Sequence, residues 1–137
     1  LETLENMVKT INDGYEEGPF QILKLGDAYQ MTTKAPYGEV IKKALEVKRN
    51  APLSQAAMEV LAIVAYNQPV TRSFIEQVRG VDSSSIVVSL TAKGLICEAG
   101  RLEIPGRPIA YGTTPAFLRC FGMKDIKALP KLPNREE

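Results

Sequence analysis

Three short helices, each with its own start and stop signal, are encoded between residues 54 and 94, and this arrangement most constrains the fold. Side chains that favour N-cap positions precede the helices, namely Ser54, Thr71 and either Asp82 or Ser83. Residues that end helices follow them, namely Gln68-Pro69, Gly80 and Gly94. The pattern therefore predicts three consecutive helices, over 55–66, 72–79 and from 82 or 83 to 93.

Two strands are expected after the third helix. The segments Leu95–Ala99 and Ile109–Thr113 have strand-like composition, and the loop between them, 100–108, contains two Gly and two Pro. Helix, helix, helix, strand, loop and strand is the order of a winged helix, in which the loop is the wing. Thr114 is expected to cap a closing helix. The predicted apolar face of that helix consists of Phe117, Leu118 and Phe121.

The first half of the chain repeats part of this order. A helix from Leu1 is predicted to end near Asn12–Gly14, and two strands, Phe20–Leu25 and Ala28–Thr33, flank the turn pair Gly26-Asp27. A further helix is predicted over Pro36–Val47. Its apolar stripe is formed by Val40, Ile41, Ala44 and Leu45. Helix, hairpin and helix match the end of a winged-helix unit without its first two helices.

The predicted fold class is α+β and mainly helical, with tandem winged-helix domains of which the first is incomplete. The first domain is expected over 1–50, the second over 51–123 and a partly ordered tail over 124–137, with a polar linker at 48–52. Because the chain starts with Leu rather than Met, we expect an N-terminal truncation. The 137 residues, of which 45% are hydrophobic, are sufficient to bury a core.

The absence of histidine excludes Ser-His-Asp and Cys-His nucleophile activation as well as imidazole metal sites. The sequence contains no Gly-rich phosphate motif, and the serines at 83–85 have no neighbouring base. Cys97 and Cys120 lack CxxC spacing and are expected to be structural. We therefore expect no enzymatic activity, no cofactor and no metal. Without an apolar run long enough to span a membrane, and without a signal peptide, the expected location is cytoplasmic.

A winged helix can bind DNA by placing its third helix in the major groove. Here that helix, 82–93, begins with an acid and carries a single lysine for contact with base edges. With 17 basic and 16 acidic residues, the chain has no overall charge that favours nucleic acid. The candidates for phosphate contacts, which are also explained as solvated or ion-paired side chains, are Arg72, Arg79, Arg101 and Arg107.

The helix at 55–66 is apolar around nearly its whole circumference, because only Glu59 is polar between Ala56 and Tyr66. One side is expected to pack within its own domain, against Ile75, Val78, Ile86, Val87 and Leu90. The other side belongs either to a tight domain core or to an interface with a partner. In the segment 106–114, Arg107 and Tyr111 either bend the wing or offer a polar and aromatic contact to a partner.

Four motifs occur in a specific order. They are Ala65-Tyr66-Asn67-Gln68-Pro69-Val70-Thr71-Arg72, Val78-Arg79-Gly80-Val81-Asp82-Ser83, the segment 105–114, and Phe117-Leu118-Arg119-Cys120-Phe121-Gly122. In this order and spacing they resemble the C-terminal winged helix of the segregation and condensation protein B (ScpB) family, over 53–132. The hairpin end at 29–34 is similar to the end of that family's N-terminal winged helix. The departures are Ser84 and Ser85, where an acid or Gly is usual, and Phe74, where an acid is common.

The resemblance implies a protein that dimerises mainly through its N-terminal domain and embraces the kleisin ScpA, which bridges the heads of the SMC ATPase. It implies a role in chromosome condensation and segregation at the nucleoid, with DNA contacted only indirectly or weakly. ATP chemistry then belongs to the SMC partner. The alternative is a winged-helix DNA-binding transcriptional regulator. The predicted partner-binding residues are Leu61, Tyr66, Gln68, Pro69, Arg72, Arg107 and Tyr111.

Overall fold

The computed structural model describes residues 2–45 and 52–132. The chain divides into two compact units, 1–51 and 52–137. In the described part, no helix is long and apolar enough to cross a membrane.

The first unit contains a helix, a hairpin and a short second helix. Helix α1 (Glu2–Gly14) is followed by antiparallel strands β1 (Phe20–Leu25) and β2 (Ala28–Thr33), which meet around Gly26-Asp27. The predicted end of the first helix and the predicted hairpin are both confirmed. The Asn12 side chain connects α1 to β1, because its amide nitrogen donates to Ile22 O (3.0 Å) and its oxygen accepts from Ile22 N (2.7 Å).

The helix predicted over 36–47 is shorter than expected. A 3-10 turn (Ala35–Tyr37) precedes α2 (Gly38–Ala44), and residues 46 and 47, with the predicted linker from 48 to 51, lie outside the described residues. Pro36 has no N–H to donate, and the turn is closed by the Tyr37 N–H, which donates to Lys34 O at 3.1 Å. The predicted stripe on α2 is largely exposed, with Val40 at 65% and the following Leu45 at 68%.

Few side chains of the first unit are buried. Leu25 is the one buried residue between positions 3 and 45. The large apolar side chains that this unit exposes are Leu4, Met7, Ile11, Phe20, Met31, Tyr37, Val40 and Leu45. The described residues of this unit therefore expose eight large apolar side chains around a single buried residue.

The second unit contains the three predicted helices, which are α3 (Gln55–Asn67), α4 (Arg72–Arg79) and α5 (Ser84–Ala92). Helix α6 (Pro115–Cys120) and a 3-10 turn (Ile126–Ala128) follow later. The predicted caps of α3, α4 and α6 are Ser54, Thr71 and Thr114. Each hydroxyl accepts a hydrogen bond from the backbone N–H three residues later, at 3.2 Å. Gly80 ends α4 with a φ of 73°, a conformation that favours glycine.

Three antiparallel strands in the order β3-β5-β4 form the sheet of the second unit: β3 (Val70–Thr71), β4 (Ile96–Arg101) and β5 (Ile109–Thr113). The sequence predicted β5, placed β4 at 95–99 instead of 96–101, and missed β3. Strand β3 lies between α3 and α4 and pairs Val70 with Tyr111 and Thr71 with Ala110. The turn between two helices is thereby fixed to the sheet.

The core of the second unit lies between α3, α4, α5 and the sheet. Its fully buried apolar side chains are Val60, Leu61, Val64, Ile75, Leu90 and Ile96. One predicted core position is wrong, because Val78 on α4 is 56% exposed. Phe121, predicted on the apolar face of the closing helix, follows the end of α6 and is 41% exposed. Ser83, one of the two predicted caps of α5, occupies the N-cap position, but its side chain makes no cap hydrogen bond and is buried.

Candidate partner-binding site

Helix α3 has one buried face and one exposed apolar face. Val60 and Val64 are inaccessible to solvent, whereas Met58 is 42% and Tyr66 36% exposed. Ala62 lies between them and is also exposed. Because residues four positions apart share one side of a helix, Met58, Ala62 and Tyr66 form a continuous stripe. The helix is therefore core on one side and apolar surface on the other, which is why the sequence supported both interpretations.

A groove runs beside this stripe, between α3, α6 and the segment after α6. It encloses about 160 Å³. The apolar side chains that line it include Met58, Ala62, Tyr66, Phe117, Phe121 and Leu129. The rings of Phe117 and Phe121 lie 4.7 Å apart and are tilted by 39°. We refer to this feature as the α3 groove.

The sequence analysis placed Leu61 among the partner-binding residues, but its side chain is not on the surface of α3. It is 1% exposed, because it projects from α3 into the core. From there it lines the bottom of the α3 groove. Leu61 therefore determines the depth of the groove, and the exposed contacts come from its neighbours.

The segment after α6 packs against the C-terminal end of α3. The Tyr66 hydroxyl donates to Pro130 O at 2.7 Å, and Leu129 lies over the α3 groove. A wider cavity of about 520 Å³ lies between the end of α3 and residues 126–132. Tyr66 therefore contributes its ring to the groove and its hydroxyl to the position of this tail.

Gln68, a predicted contact residue, has an internal role. Its Oε1 accepts from Thr113 N at 2.7 Å and from Thr113 Oγ1 at 3.0 Å, so its side chain joins the end of α3 to β5. A side chain at Gly112 would place its Cβ 3.0 Å from the same oxygen, so Gly allows this close approach. The adjoining Pro69 is exposed and follows a cis peptide bond.

Arg72 and Tyr111 lie on the walls of one cavity, and Arg107 is not among its lining residues. Arg107 occupies the β4–β5 loop with a φ of 39°, and its Nη2 contacts Glu103 Oε1 at 2.7 Å. The sequence analysis treated Arg107 and Tyr111 as a pair, whereas the structure groups Tyr111 with Arg72. The sequence analysis named Arg101 only as a candidate phosphate contact and not as a partner-binding residue, yet it lines the same cavity.

The candidate phosphate contacts are largely engaged in ion pairs. Arg72, Arg79 and Arg107 contact glutamates, at 3.6, 3.2 and 2.7 Å respectively. Arg101 donates from Nη1 to the carbonyl oxygen of Arg107 at 2.9 Å. The ion-pair interpretation therefore holds for the first three.

The start of α5 is negatively charged. The Ser84 hydroxyl and then the Ser84 backbone N–H donate to Asp82 Oδ1, and these bonds hold the pKa of Asp82 below its ordinary value. The carboxylate therefore stays ionised at neutral pH. An anion at this position opposes the approach of a DNA phosphate to α5.

The sequence as a whole matches the family model of the segregation and condensation complex subunit ScpB over residues 1–132. The chain belongs to this family. The ScpB relative from Ruminiclostridium cellulolyticum is 47% identical over 133 residues, which are 96% of this chain and 70% of the relative. The Bacillus subtilis relative is 50% identical over 117 residues, or 85% of this chain and 59% of the relative. The chain thus spans only part of the ScpB proteins that it matches.

The crystal structure of ScpB from Mycobacterium tuberculosis is similar to this chain. It superposes with a TM-score of 0.54 and 29% identity, and the match covers 89% of this chain and 77% of the other. The α+β fold of helices and small sheets is therefore that of an ScpB structure.

Proposed function

We propose that this chain is a non-catalytic accessory subunit of the bacterial SMC–kleisin complex and binds the kleisin ScpA through the α3 groove. It acts in chromosome condensation and segregation, in the cytoplasm at the nucleoid, and its two units serve as winged-helix scaffolds. The exposed apolar stripe on α3 carries the proposal. Membership of the ScpB family supports it.

The shape of the α3 groove suits a helical segment of the partner. A volume of about 160 Å³ accommodates one or two apolar side chains, and the groove has aromatic residues on both sides. An amphipathic helix that docks in such a groove inserts apolar residues at three- and four-residue spacing. Aromatic anchors in apolar pockets commonly contribute most of the binding free energy.

Helix α5 favours this proposal over the alternative of a DNA-binding regulator. The ionised Asp82 stands before its first turn, and in the described residues of the second unit the arginines at 72, 79 and 107 contact carboxylates. Sequence-specific regulators place Arg, Lys, Asn or Gln on the helix that enters the major groove. The residues of α5 are Ser, Ile, Val, Leu, Thr and Ala.

The test is calorimetric titration of the chain with a purified kleisin, comparing Ala62→Glu with Val88→Glu. Ala62 lies in the α3 groove, and a buried charge there should weaken binding by about ten-fold or more. Val88 on α5 is 69% exposed and lies outside the groove, so its variant should bind as the wild type does. Circular dichroism confirms that both variants are folded. Equal affinity of Ala62→Glu and wild type would contradict the proposed site.

Titration with duplex DNA at about 50 and 200 mM salt tests the alternative. A phosphate-binding protein loses affinity steeply over this range, because bound counterions are released on association. We expect weak binding without sequence preference. Tight, sequence-selective binding would favour the DNA-binding regulator.

We also propose that the chain forms a homodimer in which the first unit of each copy contacts the other copy. Among the described residues of α1, Leu4, Met7 and Ile11 are 46%, 58% and 43% exposed, and their spacing places them on one face. We expect Met7→Glu to shift the mass measured by light scattering toward the monomer, and Lys9→Glu to leave it unchanged. If light scattering shows that the wild-type chain is a monomer, the proposed homodimer is wrong.

A further inference from the structure

A second concave site lies between the first turn of α4 and the β4–β5 arm. It encloses about 280 Å³. The side chains that define it are Arg72, Ser73, Arg101, Pro108, Ile109 and Tyr111. We refer to it as the arginine cavity. It is lined by different residues from the α3 groove.

The arginine cavity has a positive lining. Arg72 and Arg101 both border it, and no carboxylate belongs to its lining. Arg72 Nε lies 3.6 Å from Glu76 Oε1, and Arg101 uses Nη1 for the Arg107 carbonyl at 2.9 Å. Because a guanidinium has five N–H donors, both arginines retain donors that can bind an anion. The positive end of the α4 dipole lies beside them, since α4 begins at Arg72.

The β4–β5 arm also gives the cavity a less polar surface, next to Arg101, which pairs with Ile109. Pro108, Ile109 and Tyr111 are half-buried there, and Tyr111 is held on β5 by its pairing with Val70 of β3. Guanidinium groups beside an apolar surface suit a carboxylate attached to an aliphatic stem. The volume accommodates one such side chain with an apolar neighbour.

We propose that the arginine cavity binds a Glu or Asp side chain, next to an apolar residue, in an acidic peptide segment of a protein partner. This inference shares with the proposed function only the premise that the chain binds a protein partner. Arg72 and Arg101 bind the carboxylate, and Ile109 and Tyr111 contact the apolar neighbour.

The surroundings of the cavity favour a peptide over a nucleic acid backbone. Glu103 and Glu98 lie on the same β4–β5 arm, and Glu76 follows Arg72 on α4. A duplex that reached both arginines would bring further phosphates close to these carboxylates, and like charges repel. A single carboxylate side chain brings only one negative charge near them, whereas a duplex brings several.

The experiment is an NMR titration of the isotopically labelled chain with a short, terminally blocked peptide of alternating Glu and Leu. The side-chain Nε–H signals of Arg72 and Arg101 should shift. The matched peptide of alternating Gln and Leu should leave them unmoved. Arg72→Gln should weaken binding of the acidic peptide by about ten-fold. The control is Lys124→Gln, whose side chain is exposed and outside the lining, and it should bind as the wild type does.

Three results would overturn the proposal. They are equal shifts with the Gln–Leu peptide, unchanged affinity in Arg72→Gln, and tighter binding of duplex DNA through the same two arginines. The last result would make the cavity a phosphate site. The titration uses no kleisin, so its outcome is separate from that of the Ala62→Glu test of the α3 groove.

Discussion

The guanidinium of Arg79 holds the buried hydroxyl of Ser83. Arg79 Nη1 donates to Ser83 Oγ at 2.9 Å, and Nε and Nη2 of the same side chain both donate to Glu59 Oε2 at 3.2 Å. Ser83 is inaccessible to solvent, and the Arg79 side chain is only 11% exposed. One arginine at the end of α4 thus binds both α3 and the residue before α5.

Arg79→Met should therefore destabilise the second unit by about 1–3 kcal/mol, because it removes a donor from a buried hydroxyl while the apolar stem is kept. The control is Arg72→Met, whose side chain is 58% exposed and has no buried partner among the described residues. It should change stability by less than about 0.5 kcal/mol. Urea unfolding measures both, and equal effects would show that the Arg79–Ser83 bond contributes nothing.

The contact between Gln68 and Gly112 predicts non-additive effects. Gly112→Ala places a Cβ 3.0 Å from Gln68 Oε1 and should destabilise the chain by about 1 kcal/mol. In a Gln68→Ala background the neighbouring oxygen is absent, so Gly112→Ala should lower the free energy of unfolding by less. A double-mutant cycle of unfolding free energies measures the coupling. Strictly additive effects would mean that the Gln68 side chain moves aside freely.

Asp82 should titrate below the ordinary range of an aspartate, because the Ser84 hydroxyl and N–H donate to it. A pKa that is lower in the folded than in the unfolded state stabilises the fold above the unfolded pKa. This contribution is lost as the pH falls through the folded pKa. NMR detection of the carboxyl carbon should show that Ser84→Ala raises the pKa of Asp82 and that Ser85→Ala does not. An unchanged pKa in Ser84→Ala would contradict this assignment.

Tyr66→Phe should release the segment after α6 without unfolding α3. The substitution keeps the ring in the α3 groove and removes the hydroxyl that donates to Pro130 O. We expect faster trypsin cleavage after Lys127 and Lys131, with unchanged circular dichroism. Asn67, whose side chain bonds to Ile63 O on its own helix, supplies the control Asn67→Ala. Identical cleavage rates in Tyr66→Phe and wild type would show that this bond does not hold the tail.

The helix limits of the second unit were predictable because local side chains fix them. Ser54, Thr71 and Thr114 accept hydrogen bonds from N–H groups three residues on, an interaction that a short sequence window contains. Ser83, one of the two predicted caps of α5, is at the N-cap position, but the absence of its cap hydrogen bond was not predictable, because Arg79 from the preceding helix engages its side chain. Strand β3 was missed because two residues have no periodicity, and their pairing partner is distant in sequence.

The candidate sites were predictable only in part. The apolar excess of α3 indicated an interface, but a helix that is apolar all round does not reveal which face its own domain covers. Met58 was therefore missed, although its spacing from Tyr66 is a multiple of four. The sequence analysis considered Arg101 only as a phosphate contact. Arg101 and Arg72 line one cavity because β3, β5 and β4 pair, and strand β3 was not predicted.

Strand β5 holds the end of α3 and the start of α4 at once, through Thr113 with Gln68 and through its pairing with Val70 and Thr71. A ligand that displaces β5 must therefore move both helix ends. Tyr111 of β5 lines the arginine cavity, and Tyr66 near the end of α3 lines the α3 groove. Occupancy of one site should then alter the affinity of the other, and the effect must be reciprocal. A partner that engages both would bind cooperatively.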